Sequence, residues 1–453
     1  MYEYVYIIIV FLIIFIFAYV KLRYPFWNVQ PAFHVYDFWR YWTKVPFYIQ
    51  NSILIKTKFY DGKCVETIPY IDATDSKRQQ IVDMIQCHYI DSDRVLTSID
   101  VSGVNALMTG HSHPSYISIY NDTTYDILPD SSRNELFYLT GRRGRAIRNM
   151  KDFLEPGFPA TYDILPDSSA SIIPVKFPIA CMLTYPVKFF ILDSFSKMHE
   201  RTVYYWDYIC THRDHRDVSR KLIQTNEYNC RIKNPDILGS IFKKEESLCE
   251  GIVPLVNYKT YTFYLRNVKI PRLPAHFTVE RIHKGNMGTI SDFMYGLTHP
   301  KSALGEEMGD AMFQAFLFPE MGAISGLILS DQLYVFALKR DDHVYGIYFF
   351  RNAHTIYDDV EDGNLLECVA TVSNTKADGL FFSGFLSALR KILDLTSRKY
   401  KMMVLNDLGH NEKILEKWRW KYTPVFENKA AYYVYNMVCP GMPLDADGCF
   451  ILT

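Results

Sequence analysis

Residues 203–221 read VYYWDYICTHRDHRDVSRK. The segment opens as an apolar, aromatic run of strand-forming residues and breaks at His212 into a dense polar turn. From Lys221-Leu222-Ile223 onward the pattern becomes helical. A buried strand that passes through a basic turn into a helix is a phosphate-holding device. Backbone N–H groups at the turn and the helix start point outward, and the arginines of the turn add charge.

The apolar run has a companion upstream. Residues 179–192 form a second such run, and the polar stretch 193–197 between the two predicts a hairpin. Residues 259–265 read as a further strand, and Pro271 and Pro274 mark a boundary between two halves. The second half repeats the alternation. A helix is expected near 288–297, then strands at 332–338 and 344–350 across the turn signal Arg340-Asp341-Asp342-His343. A helix follows in which Phe382, Phe385, Leu386, Leu389, Ile392 and Leu393 recur at three- and four-residue steps. Strands are expected at 402–405 and 431–438, and the apolar run 448–453 predicts a tail packed inward. Before the hairpin, Asp75-Ser76 predicts the cap of a helix with Ile81, Val82, Met84 and Ile85 on one face, ending in the polar loop 88–93.

Composition bounds the function classes. At 453 residues the chain holds two domains or one large double domain. An apolar fraction of 49% excludes a mainly disordered protein, and 34 Tyr with 30 Phe favour sheet. The net charge of −1 gives no global field toward nucleic acid or a membrane surface. Nine cysteines, with no C-x-x-C pair, fit a reducing compartment better than a disulfide framework or a zinc module.

Residues 4–20, YVYIIIVFLIIFIFAYV, carry no charge. Counted from Met1, the segment is about as long as the roughly 20 residues a bilayer core requires. Glu3 and the lack of an A-x-A-like site argue against a secretory signal, and the β-branched and aromatic content argues against a buried core helix. The expectation is a single-pass anchor over 1–22, with Lys21 and Arg23 keeping the large C-terminal part on the cytosolic side. The next stretch, 24–31 (YPFWNVQP), reads either as an interfacial aromatic belt or as an extended arm that covers a ligand. Residues 121–170 look like an insertion: YDILPDSS occurs at 125–132 and again at 162–169. Between the copies lies GRRGR, 141–145, followed by Arg148 and Lys151. A solvated loop is the commoner use of such a cluster, and beside an anchor lipid headgroups are the better of the binding options.

Other chemistries lack support. The HRD triplets at 212–214 and 215–217 lack the Asn, the Gly-rich loop and the D-F-G of a protein kinase. His212 and His215, like His111 and His113, have no carboxylate or cysteine set to complete a metal site. No G-x-S-x-G elbow supports a serine hydrolase.

Several stretches together resemble the N-myristoyltransferase family, a doubled member of the GNAT acyltransferase superfamily. YPFWNVQP (24–31) resembles the family's Y-x-F-W-x-T-Q-P arm, and HYIDSD (88–93) its N-Y-V-E-D-D loop. YICTHR (208–213) resembles the N-F-L-C-V-H-K signature, and LCEGIVP (248–254) stands where the family has Y-T-A-G-x-x-L-P. YYVYN (432–436) with CPGM (439–442) is similar to Y-Y-L-Y-N-W-x-C-P-S-M. The matches follow the family's order over nearly the whole chain beyond the anchor. There are departures. Asp207 replaces an Asn, and RDVSRK (216–221) replaces R-S-K-R-x-A. YTPVFEN (422–428) occupies the place of a glycine-rich K-F-G-x-G-D-G segment. The anchor and the insertion are unlike cellular members and resemble divergent copies carried by large DNA viruses.

The resemblance implies a mixed α/β (α+β) tandem GNAT-like acyl-CoA N-acyltransferase fold with pseudo-twofold halves. An acyl-CoA-binding half would span 23–273 and a peptide-binding half 274–453. The implied reaction is direct transfer of a fatty acyl group, myristoyl in the family, from acyl-CoA to the amine of an N-terminal glycine. It implies no prosthetic group, metal or nucleic acid, and a monomer. The carboxylate of Thr453 would be the base, and the backbone N–H groups of Tyr208 and Ile209 would hold the oxyanion. Pro25, Phe26 and Trp27 would cover the CoA, with Cys210, Thr211, Arg216, Asp217, Ser219, Arg220 and Lys221 around the rest of it. Tyr89, Asp91, Asp93 and Asp407 would contact the peptide. The missing glycine-rich segment keeps two alternatives open: an inactive acyl-CoA- or lipid-binding scaffold, and an N-acyltransferase with another acyl group or acceptor amine.

Overall fold

A computed structural model describes residues 2–90, 95–122, 177–265, 268, 271–298, 313–357, 363–397 and 399–453. Asp91, Asp93, both YDILPDSS copies and the basic cluster between them lie outside the described residues.

The uncharged N-terminal segment forms one helix, α1 (Tyr2–Arg23). Its stretch Tyr4–Arg23 has a mean hydropathy of 2.8, is long and apolar enough to cross a bilayer, and buries none of its span against the rest of the protein. The first half then runs β1 (Val65–Pro69), α2 (Asp75–His88), α3 (Val101–Met108), β2 (Tyr116–Asp122), β3 (Phe177–Leu192), β4 (Met198–Thr211), α4 (Val218–Lys233), β5 (Ser240–Glu245) and β6 (Val256–Tyr264). The second runs β7 (Phe277–Arg281), α5 (Gly288–Thr298), β8 (Ala315–Phe318), α6 (Met321–Leu329), β9 (Leu333–Arg340), β10 (His343–Tyr357), β11 (Gly363–Ser373), α7 (Asp378–Leu395), β12 (Tyr400–Asn406), α8 (Asn411–Arg419), β13 (Phe426–Tyr435) and β14 (Cys449–Ile451).

One 15-stranded sheet carries these strands in the order β14-β8-β3-β4-β5-β13-β6-β12-β11-β10-β9-β7, with β1 and β2 attached beside β3 and a short strand, Val95–Thr97, beside β10. The halves exchange strands: β13 lies between β5 and β6, and β6 pairs in turn with β12. Helices cover both faces of each half. On β3, Cys181, Leu183, Tyr185 and Val187 meet Ile81, Val82 and Ile85 of α2, while Ala180 and Met182 meet Val218 and Leu222 of α4. In the second half, Phe336 and Phe350 face α7 and α8, and Val335 and Phe349 face α5 and α6. Strands buried on both faces carry no polar alternation, which is why they read as continuous apolar runs.

Local chemistry sets the boundaries. The β3–β4 turn is built on Asp193, whose carboxylate accepts the N–H groups of Phe195 (2.8 Å) and Lys197 (2.9 Å). The cap of α2 is Thr74, not Asp75-Ser76. Thr74 is still extended, and its hydroxyl accepts the Lys77 N–H. Helix α4 begins at Val218, ahead of the expected Lys221, after a 3₁₀ turn over Arg213–His215. The arm 24–31 is not extended. Asn28 N–H donates to Tyr24 O (3.0 Å), and Trp27–Val29 is a 3₁₀ turn closed by Gln30 N–H to Trp27 O (3.0 Å). The N–H groups of Asn28, Val29 and Gln30 find their partners inside the segment, while the carbonyl of Pro31 accepts the N–H of Asn436 (2.6 Å) at the end of β13. The C-terminal run packs inward as expected. Cys449, Phe450, Ile451 and Leu452 are buried, β14 pairs parallel with β8, and Leu452 N–H donates to Leu317 O (2.7 Å).

Candidate functional site

Strands β4 and β5 run parallel and pair only over Tyr204–Trp206 against Ser240–Phe242. Beyond Trp206 they part, and Asp207 to Thr211 of β4 continue without that neighbour. On the other edge β4 stays paired with β3, but the register slips. Asp207 stands opposite Leu183 and Cys210 opposite Cys181, so Tyr208 and Ile209 share the space of one residue. Tyr208 adopts a φ of 44°, in the left-handed region. The pair is a β-bulge at the mouth of a wedge between two parallel strands, a device that re-aims backbone groups.

The second half has a corresponding parallel pair. Strands β11 and β12 stay paired up to Cys368 opposite Leu405. Here the wedge is filled by the protein itself. The carbonyl of Val369 accepts the side-chain amides of Asn406 (3.1 Å) and Asn411 (3.2 Å), and the Ser373 N–H donates to His410 Nδ1 (2.8 Å). In the first wedge, among the described residues, the Tyr208 N–H meets only its neighbour in sequence, the Oδ1 of Asp207, at 2.9 Å.

Asp207 leads into a polar cluster. Its Oδ2 accepts the hydroxyl of Tyr185 (3.2 Å), and burial pushes its carboxyl above the usual range against the pull of Arg351. Arg351 donates from Nη2 (2.6 Å) and Nε (3.2 Å) to Glu367 Oε2, and from Nη1 to the main-chain oxygen of Thr453. Burial opposes ionisation of Glu367, but Arg351 and then Lys243 outweigh it and hold the carboxyl below its ordinary range. The Thr453 side chain is hydrogen-bonded to the hydroxyl of Tyr432 (3.2 Å), with the hydroxyl of Tyr205 beside it. Arg351 thus bears on Asp207, Tyr208 and Thr453 together. A cavity opens beside it, bounded by Leu107, His111, Tyr185, Leu327, Leu452 and Thr453. One wall is set by a contact between Gly110, after α3, and Gly322, at the start of α6. A Cβ on Gly322 would stand 2.4 Å from the Gly110 carbonyl oxygen.

The arm reaches the closed end of the wedge. Trp27 stacks on Phe242 (5.5 Å, interplanar 1°), which stacks on Trp206 (4.9 Å), the last paired residue of β4. Phe26 is buried edge-on against Phe59 (5.1 Å), and Pro25 is half-buried beside it. Arg216, Asp217 and Arg220 lie exposed where the turn enters α4, and Ser219 Oγ donates back to Arg216 O (2.9 Å). Lys221 is held elsewhere, by Asp61 (3.2 Å). Cys210 meets the thiol of Cys181 (3.2 Å), and Thr211 pairs with Ala180. Tyr89 packs its ring on Tyr208 (4.8 Å). Asp407 sits on the seam of β6 and β12, accepting the Lys259 N–H (2.7 Å). Sequence reasoning missed Tyr185, Tyr205, Lys243, Arg351 and Glu367. One signal was present for Arg351, a charge set directly after the apolar run 344–350.

No family profile matches the chain, and no curated protein is detectably similar in sequence. Solved structures are similar in fold. Saccharomyces cerevisiae N-myristoyltransferase with bound myristoyl-CoA superposes with a TM-score of 0.62 at 9% identity, over 95% of this chain and 94% of that one. Another structure of it with myristoyl-CoA gives 0.58 at 10% identity, over 95% and 99%. A third, with bound myristoyl-CoA and inhibitors, gives 0.60 at 10% identity, over 94% of each. At this identity the likeness speaks for architecture, and the chain has a mixed α/β fold of the N-myristoyltransferase kind.

Proposed function

We propose that this protein is an N-acyltransferase that moves a fatty acyl group, myristoyl by preference, from acyl-CoA to the amine of an N-terminal glycine, and that α1 tethers it to a membrane with the remainder in the cytosol. The open wedge at the Tyr208–Ile209 bulge carries this reading, since its counterpart in the second half is plugged by Asn406 and Asn411. The bound myristoyl-CoA of the yeast structures supports a fatty acyl donor.

In this mechanism the thioester enters the wedge with its carbonyl oxygen toward the bulge. The N–H groups of Tyr208 and Ile209 take the oxyanion as the amine attacks. The acceptor must be neutral to attack, and a free α-amine has a pKa of about 7.7–8.0, so a nearby base removes its proton at modest cost. The carboxyl group of Thr453 fills that role, positioned by Arg351. The C–N bond forms, the C–S bond breaks, and the CoA sulfur leaves as a thiolate that takes up a proton. The start of α4, with Arg216 and Arg220, meets the CoA phosphates. Pro25, Phe26 and Trp27 cover the nucleotide, and Tyr89, on the ring of Tyr208, faces the acceptor side.

One observation favours a second reading, an acyl-CoA-binding scaffold without turnover: the carboxylate of Asp207 occupies the Tyr208 N–H. Mass spectrometry of a mixture of Gly-initiated peptides, incubated with acyl-CoAs of varied length, separates the two. Acylated peptide is the expected product. Acyl-CoA binding with no acylated peptide at any chain length would leave the scaffold.

A further inference from the structure

We propose that Phe38, Trp39, Trp42 and Phe195 form a second membrane contact, which lays the body of the protein against the headgroup layer beside the exit of α1. The proposal rests on the reading of α1 as a membrane anchor.

Phe38–Trp42 (FWRYW) is a 3₁₀ helix. In such a helix residues three apart eclipse one another, so Trp39 and Trp42 share one face. They are 89% and 83% exposed, and Phe38 is 70% exposed. The other two members are held against the body, although Tyr41 stays 42% exposed. Tyr41 packs on the ring of Phe33 (4.7 Å), and Arg40 donates to the Ala32 carbonyl (2.8 Å) while pairing with Asp37 (2.9 Å). A surface that faces water sorts its residues in the opposite sense.

The display is held in place. Asp37 N–H donates to His34 O (3.0 Å), and the carbonyl of Lys44 accepts the N–H of Ser194 (2.9 Å) in the β3–β4 turn. That bond brings the turn's tip beside the helix, where Phe195 is 68% exposed under the Lys44 ammonium (6.0 Å). Four large aromatic rings thus stand in water on adjoining segments, a patch of the kind that marks an interaction surface.

Gly251 says what covers it. Tyr24, the first residue after α1, lies so close that a Cβ on Gly251 would be 2.7 Å from its ring. The N–H of Val35 donates to the Gly251 carbonyl (3.2 Å). The exit of α1 and the approach to the aromatic helix therefore meet at one residue. Only three residues lead from Val35 to Phe38, a reach of about 10 Å at most. Tryptophan is favoured at the water–lipid boundary, where its ring is buried and its N–H stays wet, and Arg23 and Lys44 add charge suited to lipid phosphates.

The test uses the full chain, in a Trp420→Phe background, in phosphatidylcholine vesicles made with and without brominated acyl chains. Brominated lipid is expected to quench the tryptophan emission, and the triple variant Phe38→Ser, Trp39→Ser, Trp42→Ser is expected to lose that quenching while its near-ultraviolet circular dichroism still shows a folded body. Protein that withstands an alkaline carbonate wash yet emits equally from both lipids leaves the anchor standing and overturns the second contact. Release by the wash overturns the anchor, and the contact with it. Quenching that persists in the triple variant places the lipid-facing tryptophan elsewhere and also overturns the proposal. Unquenched emission together with disulfide-linked dimers of a Trp39→Cys chain would assign the patch to a second copy.

Discussion

The backbone N–H of Tyr208 donates to the carboxylate of Asp207, the residue before it, across 2.9 Å. A donor aimed where an oxyanion would develop is therefore already bonded to an anion. Asp207→Asn is expected to raise acyl-transfer turnover, because a neutral amide oxygen gives way to a thioester oxygen more readily than a carboxylate does. Loss of one such donor costs about 10²–10³ in rate, so the gain is bounded by about 10³. Burial raises the pKa of Asp207, and the protonated acid competes weakly. The ratio of variant to parent turnover should therefore grow as pH rises through that pKa and approach unity at low pH. A ratio independent of pH would remove Asp207 from control of the donor.

Appending one alanine after Thr453 moves the terminal carboxyl away from Arg351. Turnover should fall by about 10² or more, the usual worth of a positioned general base, while acyl-CoA affinity is kept. Steady-state kinetics beside an acyl-CoA titration reads both, and unchanged turnover sinks the carboxyl as base.

Arg351→Met strips Glu367 of its pair. The pair is partly exposed, so the loss should fall between the values for a surface and a buried bridge, about 2 kcal/mol by urea unfolding. Arg351→Met with Glu367→Leu should recover the share owed to Glu367, because that carboxylate is no longer left stranded. A double variant as unstable as the single one would show that the contacts of Arg351 with Thr453 and Asp207, or its packing, account for the loss.

Three histidines tie stability to acid. Burial, with His212 next, lowers His88 to about 4; burial, with Arg351 next, lowers His354 to about 4; burial, with Lys413 next, lowers His410 to about 4. Between pH 4 and the ordinary value near 6.5 the unfolded chain binds protons that the folded one refuses. Their contribution is fully present above 6.5 and is lost as pH falls toward 4. The urea midpoint should decline across that window, and less steeply in His410→Gln.

Gly322→Ala should destabilise the protein by about 1–3 kcal/mol, the cost of overpacking, because the new methyl would press on the main chain at Gly110 rather than on a side chain that can swing away. Thermal unfolding measures it. Gly326→Ala, in the same helix with open space around it, is the control.

Features set by neighbours in sequence were legible before the structure. The hairpin at 193–197 follows from turn residues between two apolar runs, and the inner face of α2 follows from the spacing of Ile81, Val82, Met84 and Ile85. The polar break at His212 marked the end of β4 within one residue. Features that need two distant segments in register were not legible. The bulge at Tyr208 exists because β4 carries one residue more than β3 between two matched pairs, and nothing in either strand alone announces it. Arg351, Glu367 and Thr453 converge from three segments, and the contact of Arg351 with Thr453 spans 102 positions. The arm failed differently: aromatic rings flanked by prolines read as extended, yet the backbone closed on itself in a 3₁₀ turn.

The position of β13 between β5 and β6 constrains how the protein is born. Until the ribosome has released residues 426–435, β5 and β6 face an empty slot in the middle of the sheet, each with a row of unpaired backbone groups. The wedge beside β5 then has no settled inner wall, although every residue of the bulge was made some two hundred codons earlier. The middle of the sheet can therefore close only after nearly the whole chain has been made, and β5 and β6 stay as two separate edges until β13 joins them.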